Sequence, residues 1–368
     1  MTGGFIMKLF TNARIISPSL EIPEKFNALA VEDGKIVAID EAKSLIPKAK
    51  EIIDLEGQVL LPGFIDPHAH PLMYGQMMDW IDVGPTKAKS IEEIVQILLK
   101  VDRELPANQP IRAFGYEHRN LIEGRHPNRY DLDRVSRTRE IYVMNASGHG
   151  GAVNSLILTK NEITEKTPDP RGGSFERDGS GSPTGVIWDA ACDVLTGANG
   201  VKVGNHGPNF HLPDSQEILT NQFLQAQDNF IGYGVTSIGD AQVSKREFDT
   251  YLDAKNKNKL KSRYSLYLIS SLLENVVALR SNPNIDEKIL TADGIKMYAD
   301  GTLGGWTAYF PEGYLADRNR KGQLYHDQAE FTKIFLAGAR KGFHIATHAQ
   351  SPTAIGMVIN SVKQMRQE

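Results

Sequence analysis

The chain has 368 residues, with 41 lysines and arginines against 45 aspartates and glutamates. That length buries a sizeable core, in one large domain or two smaller ones, and the near-balanced charge, without a basic block or aromatic-interleaved basic stripe, argues against nucleic acid as a partner. Cys192 is the only cysteine, which excludes an intrachain disulfide framework and fits a reducing compartment. The N-terminus carries no signal-peptide pattern, Met7 is an alternative start, and no apolar run approaches the roughly 20 residues that span a bilayer. The expectation is a soluble, cytoplasmic protein with a small-molecule partner and no membrane, self-association into a homo-oligomer being left open.

In chain order, Leu9 to Ile16, Ala28 to Val31 and Lys35 to Ile39 are β-leaning, and Asp33-Gly34 signals a hairpin. Ile52 to Leu61 continues the pattern, so residues 1–60 are expected as a small β-domain. Beyond residue 70 the chain turns helical: Ser90 and Glu93 form a capping box, with Ile91, Ile94, Val95, Leu98 and Val101 on one face. Strand-like runs follow at Ile111 to Tyr116 and Glu140 to Asn145, ending in Glu117-His118 and Ser147-Gly148-His149. Thr167 to Gly185, rich in Pro, Gly, Asp and Ser, reads as loop. Its Gly-rich part lacks the Gly-Lys-Ser/Thr of a phosphate loop. Thr196 to Leu212 is again irregular, with His206 and His211 read as surface histidines.

The second half is more regular. Asp214 and Glu217 open an amphipathic helix carrying Ile218, Leu219 and Phe223 and ending at Gly232 or Gly234. Short strands follow at Val235 to Ile238 (ending at Asp240), Tyr264 to Ile269, Ile295 to Tyr298 and Phe343 to Ala346. A helix opens at Asp327 and stops at Gly342, and Ser351-Pro352 opens another. Strands alternating with helices imply βα units and a parallel sheet. The polar residues gather at the C-terminal strand ends, where a (β/α)₈ barrel builds its site.

The candidate chemistry begins at Val59-Leu60-Leu61-Pro62-Gly63-Phe64-Ile65-Asp66-Pro67-His68-Ala69-His70. In a strand, residues i and i+2 share a face, so His68 and His70 point into one cavity. A lone H-x-H also suits a solvated strand end. The apolar approach, with Lys296 and His348 on later strand ends, turns the reading to a metal site. Lys296 alone reads as a surface or salt-bridged lysine, because an ammonium does not bind a metal. A neutral amine that adds carbon dioxide becomes a carbamate, whose two oxygens bridge metal ions roughly 3.5–4 Å apart.

Pro62-Gly63-Phe64-Ile65-Asp66-Pro67-His68-Ala69-His70 resembles the first-strand motif of the amidohydrolase superfamily. Ser147-Gly148-His149-Gly150-Gly151-Ala152-Val153-Asn154-Ser155 is similar to a segment of the amidohydrolase-3 branch, which includes N-substituted formamide deformylases. Ser182-Pro183-Thr184-Gly185-Val186, Gly234-Val235-Thr236-Ser237, the Lys296 strand and Thr347-His348-Ala349 resemble further landmarks. The resemblance covers essentially the whole chain.

It implies a (β/α)₈ TIM barrel, incomplete with about five barrel strands present, beside a small β-sandwich portion. The barrel portion is expected over 61–368, with a long insertion at about 72–230. The implied reaction is hydrolysis of an amide, N-formyl or cyclic amide C–N bond by one or two zinc ions, held by His68, His70, carboxylated Lys296 and His348. His149 is implied as a contact to the carbonyl or oxyanion. Glu117 and Asp300 are candidate substrate contacts, with orientation of neighbouring backbone the competing role. Tyr116 and Trp306 line the pocket or pack in the core; Cys192, His118, His126, His326 and His344 are read as structural or surface, His344 sharing strand phase with His348. Two departures stand out: His348-Ala349-Gln350-Ser351-Pro352 replaces the usual H-A-x-G-D, and the strand-six histidine and strand-eight aspartate are absent. The chain thus reads as the N-terminal portion of a longer enzyme, expected to be inactive alone. A non-catalytic scaffold and a deaminase of the same superfamily are the alternatives.

Overall fold

The computed structural model describes residues 7–19, 21–196, 212, 214–272, 274–283, 285 and 288–367. His206 and His211 lie outside them. The chain divides into two compact units, Met1–Phe64 and Ile65–Glu368.

The first unit holds β1 (Lys8–Thr11), β2 (Arg14–Ile15), β3 (Ala28–Glu32), β4 (Lys35–Asp40), α1 (Ala42–Leu45), β5 (Glu51–Asp54) and β6 (Val59–Leu60). Four of these strands form a sheet in the order β4-β3-β1-β5, and β2 pairs with β6. The β3–β4 hairpin turns on Asp33 and Gly34, with φ of 48° and 69°. Two successive positive φ values are what a two-residue type I′ turn requires, and Asp-Gly supplies them at low cost. Leu9, Ala28, Ala30 and Leu45 make its small core.

The second unit opens with β7 (Phe64–Ala69) and α2 (Pro71–Met78), then β8 (Ile81–Asp82) and α3 (Ile91–Glu104). Ser90 caps α3 by accepting from the Glu93 N–H at 3.1 Å, but the Glu93 carboxylate accepts from Lys89 N–H at 2.6 Å, so the expected reciprocal box is displaced by one residue. Next come β9 (Ile111–Tyr116), α4 (Arg129–Leu132), β10 (Ile141–Asn145), β11 (Gly150–Val153), α5 (Ser155–Lys160), β12 (Gly173–Arg177) and β13 (Pro183–Asp189). They build a six-stranded mixed sheet, β12-β13-β11-β10-β9-β8. Within it β11 lies so close to its neighbours that a Cβ on Gly150 would strike the Ile187 carbonyl, and one on Gly151 the Val143 carbonyl. Thr167 to Gly185 is therefore not one loop: β12 and the start of β13 occupy much of it. The turn-forming composition is confined to the connection, where Asp178 Oδ1 accepts from the N–H groups of Ser180 (2.9 Å) and Ser182 (3.0 Å).

The chain continues through α6 (Gln216–Gly232), β14 (Val235–Val243), α7 (Lys245–Asn256), β15 (Arg263–Ile269), α8 (Val276–Arg280), β16 (Leu290–Tyr298), α9 (Gln328–Arg340), β17 (His344–His348) and α10 (Pro352–Met365). Ser351 caps α10 by accepting from Ala354 N–H, with Pro352 in the first turn. The strands order as β17-β16-β15-β14-β7, in sequence order across the sheet, and β14–β15, β15–β16 and β16–β17 pair in parallel. This is a curled parallel sheet of the half-barrel kind. Its strands and helices enclose Phe223, Phe248, Tyr264, Leu266, Met297 and Phe331; each such side chain contributes about 1.5–3 kcal/mol by leaving water. Among the described residues no helix is long and apolar enough to cross a membrane.

Candidate functional site

Parallel strands aim their C-terminal ends the same way, so side chains there converge. β7 delivers His68 and His70, whose ring centres lie 5.6 Å apart, edge to face. Lys296 comes from β16 and His348 from β17, whose register places Ala346 beside Lys296 and His348 beside Tyr298. All four line one cavity of about 240 Å³, together with His149, Met73, Met77, Phe114 and Tyr298.

Each group is prepared differently. Lys296 is 3% exposed, and burial lowers its ammonium pKa to about 8. Its Nζ sits 4.9 Å from the centre of the Tyr298 ring. Among the described residues no carboxylate forms an ion pair with it, so the amine is accessible in its neutral, nucleophilic form just above neutrality. His348 is held below the usual imidazole range, chiefly by burial. Its Nε2 lies 3.0 Å from the Gly301 carbonyl. A carbonyl only accepts, so Nε2 carries the hydrogen and Nδ1 keeps the lone pair. His68, exposed on β7, is also lowered, by partial desolvation first and then by the charge of Lys296. Its N–H donates to Asp66 Oδ1 at 3.1 Å.

A buried acid stands behind His70. Asp240 Oδ1 is 3.5 Å from His70 Nδ1, an electrostatic approach too long for a good hydrogen bond. The same carboxylate accepts from Tyr251 OH at 2.9 Å and from Gln242 N–H at 3.1 Å. Burial raises the Asp240 pKa, and His70 works against that rise.

The potential donors are three imidazoles and one amine. Among the described residues no three His, Cys, Asp or Glu side chains gather closely enough to hold an ion. The histidines supply neutral nitrogen donors, and an oxygen donor at Lys296 requires the amine to be converted to a carbamate.

His149 enters the cavity from the other sheet, at the turn between β10 and β11, with its ring centre 6.1 Å from that of His348. Its Nδ1 lies 2.8 Å from Oδ1 of Asp189, which is not among the residues that the sequence singles out. The nearby Ser182–Val186 motif is the available signal; extended three residues, it reaches this acid.

Glu117 and Asp300, the expected substrate contacts, are not among the residues that line this cavity. Glu117 is engaged by Arg119 Nε (3.0 Å) and Nη2 (3.1 Å) and approached by His118. Asp300 is fully buried and accepts from the N–H groups of Tyr309 (3.1 Å), Gln350 (2.9 Å) and Ser351 (3.0 Å). Its carboxylate organises the loop after β16 and the start of α10. Tyr116 is buried, with its OH 3.0 Å from His126 Nδ1. Trp306 stacks on Tyr314 at 5.4 Å, under Arg320; neither aromatic lines the cavity. Cys192 and His326 are buried, and His344 is exposed.

Known proteins place this geometry in context. The profile of the amidohydrolase family, in its amidohydrolase-3 branch, matches residues 51–368. The putative amidohydrolase YtcJ of Bacillus subtilis is 27% identical over 365 residues, covering 97% of this chain and 66% of the relative. The N-substituted formamide deformylase of Arthrobacter pascens is 23% identical over 350 residues, covering 93% and 63%. The chain thus spans slightly under two thirds of the length of these curated relatives. Two solved structures share the fold, both described as uncharacterized metal-dependent hydrolases. That from Pyrococcus horikoshii OT3 has a TM-score of 0.72 at 23% identity and covers 97% of this chain and 68% of its own. That from Pyrococcus furiosus has 0.70 at 22%, covering 98% and 70%.

Proposed function

The chain belongs to the amidohydrolase family, and from that premise we propose that it serves a metal-dependent hydrolase of carbon–nitrogen bonds. The proposed substrates are small neutral amides, N-formyl amines or cyclic amides. The observation that carries this reading is Lys296, a buried cation without a carboxylate partner among the described residues, placed on one cavity with His68, His70 and His348. In an ordinary core that arrangement is costly; beside a divalent ion it has a use. Neutral Nζ attacks carbon dioxide, the N–C bond forms, and the displaced proton leaves to solvent. The resulting carbamate carries an anionic oxygen pair.

His68, His70, carboxylated Lys296 and His348 would hold zinc, one or two ions, and Asp240 would orient His70. The chemistry supplied at such a centre is activation of water near neutral pH and polarisation of the scissile carbonyl. The chain's own part is to exclude bulk water with Met73, Met77 and Phe114 and to set His149 against the bound amide. A full (β/α)₈ barrel and a completed sandwich belong to this proposal as the scaffold of the whole enzyme.

Metal analysis of the native gene product, paired with a hydrolysis screen of N-formyl amines, N-acyl amines and cyclic amides, tests the reading. The expected result is bound zinc and C–N hydrolysis, both lost in His68→Ala. Equal metal content and equal rates in wild type and His68→Ala would overturn it.

A further inference from the structure

A second buried acid touches the cavity through a histidine. Asp189 closes β13 at 0% exposure, in a left-handed conformation with φ of 49° that aspartate adopts more readily than most side chains. It meets His149 twice: its N–H donates to the His149 carbonyl at 2.7 Å, and its Oδ1 lies 2.8 Å from Nδ1. The antiparallel register of β11 and β13, with Gly150 opposite Trp188, sets the two residues face to face. Buried Tyr325 also interacts with the Asp189 carboxylate. The acid is fixed, and so is the ring it holds.

A carboxylate oxygen accepts and does not donate, so the hydrogen between them sits on Nδ1. In the neutral ring Nε2 then carries a lone pair. Such a ring does not donate to a carbonyl oxygen, the role that the sequence suggests for His149; it receives a hydrogen. We propose that Asp189 is a positioning residue that holds His149 as the Nδ1–H tautomer and presents the Nε2 lone pair to the substrate, so that the group recognised there is a donor, the N–H of a secondary amide or formamide. This rests on the hydrolase reading for the identity of the substrate, but the tautomer does not.

The experiment has two arms. In the first, the full chain labelled with ¹⁵N-histidine is examined by two-bond ¹H–¹⁵N correlation, with His149→Gln to assign the signal. Wild-type His149 is expected in the Nδ1–H form, and Asp189→Ala in the Nε2–H form. If Asp189→Ala does not fold, the near-isosteric Asp189→Asn serves, with the Nε2–H population expected to rise. A wild-type ring in the Nε2–H form, or a tautomer indifferent to residue 189, overturns the proposal.

In the second arm the native gene product is given N-hexylformamide and its N-methyl derivative. The secondary formamide is expected to be favoured by about 10²-fold or more in kcat/KM, because the tertiary one leaves a buried acceptor unpaired. The preference shrinks in Asp189→Asn. Hydrolysis of neither compound counts against the hydrolase reading and leaves the first arm to decide the dyad. Equal rates on both compounds overturn donor recognition.

Discussion

Two buried cations of the second unit, one at each sheet, are treated in opposite ways. At the six-stranded sheet the cation is answered from within. Arg139, 9% exposed, donates to the Asp102 carboxylate at 2.5 Å and to the carbonyls of Pro106 (2.5 Å), Gln109 (2.6 Å), Leu105 (3.2 Å) and Asp102 (3.3 Å). One guanidinium thus serves the C-terminal end of α3. Asn154, fully buried, donates to the carbonyls of Ser136 (2.9 Å) and Arg139 (2.8 Å). In the five-stranded sheet, Lys296 is as deeply buried and has no carboxylate on it among the described residues. Arg139 is held as a cation by five acceptors, whereas burial pushes Lys296 toward its neutral amine.

The sharpest way to break this contrast is to replace Lys296. On the proposed function, Lys296→Met lowers hydrolysis by about 10³-fold or more in kcat, since a metal centre provides several kcal/mol of transition-state stabilisation. Steady-state assay and metal analysis of the native gene product check it; retained activity would separate the lysine from the chemistry.

The matching change in the other sheet should do the reverse. Arg139→Met removes a donor that five acceptors share and is expected to destabilise the fold by about 3–4 kcal/mol, read as a lowered urea midpoint. A loss under about 1 kcal/mol would mean that water replaces the guanidinium easily and that the two cations differ less than their hydrogen bonds suggest.

Lys296→Met should also stabilise the metal-free chain. Burial depresses the folded pKa from 10.5 to about 8, so between those values the unfolded chain binds more protons than the folded one. Stability therefore rises with pH through roughly pH 8–10.5, and below about 8 the full penalty applies. At about 1.4 kcal/mol per unit, that penalty is on the order of 3 kcal/mol. Denaturation of the wild type and Lys296→Met at pH 7 and pH 10 measures it; the wild type should gain on the variant as pH rises. Parallel curves would show a lysine already neutralised by a partner.

The smallest expected effect lies behind the histidines. Asp240→Asn keeps the shape but removes the charge facing His70, and is expected to weaken metal affinity by about 10–100-fold while leaving the fold intact. Competition with a chelator reads the affinity directly.

Much of the site is legible in the amino-acid sequence. His68 and His70 are two residues apart on a strand, and Lys296 and His348 each end an apolar strand run; period and punctuation alone bring those four side chains together. Asp189 is not legible in this way. It lies 40 residues from His149, just past the stretch from Thr167 to Gly185 whose Pro, Gly and Ser content reads as loop, and only the antiparallel β11–β13 pairing joins them. Glu117 and Asp300 do fall at strand ends, but nearby groups claim their carboxylates: an arginine two residues on for Glu117, three backbone N–H groups for Asp300. Helix α7 carries a start signal of its own that the strand pattern around it overshadows, since Ser244 and Glu247 form a reciprocal capping box.

The proposed function turns Lys296 into an acid by uptake of carbon dioxide beside a metal. ¹³C NMR of the metal-loaded protein in ¹³C-bicarbonate tests it most directly. A carbamate carbon signal is expected in the wild type, absent from Lys296→Met and lost when the metal is chelated. A wild type with bound metal and no carbamate signal would contradict it.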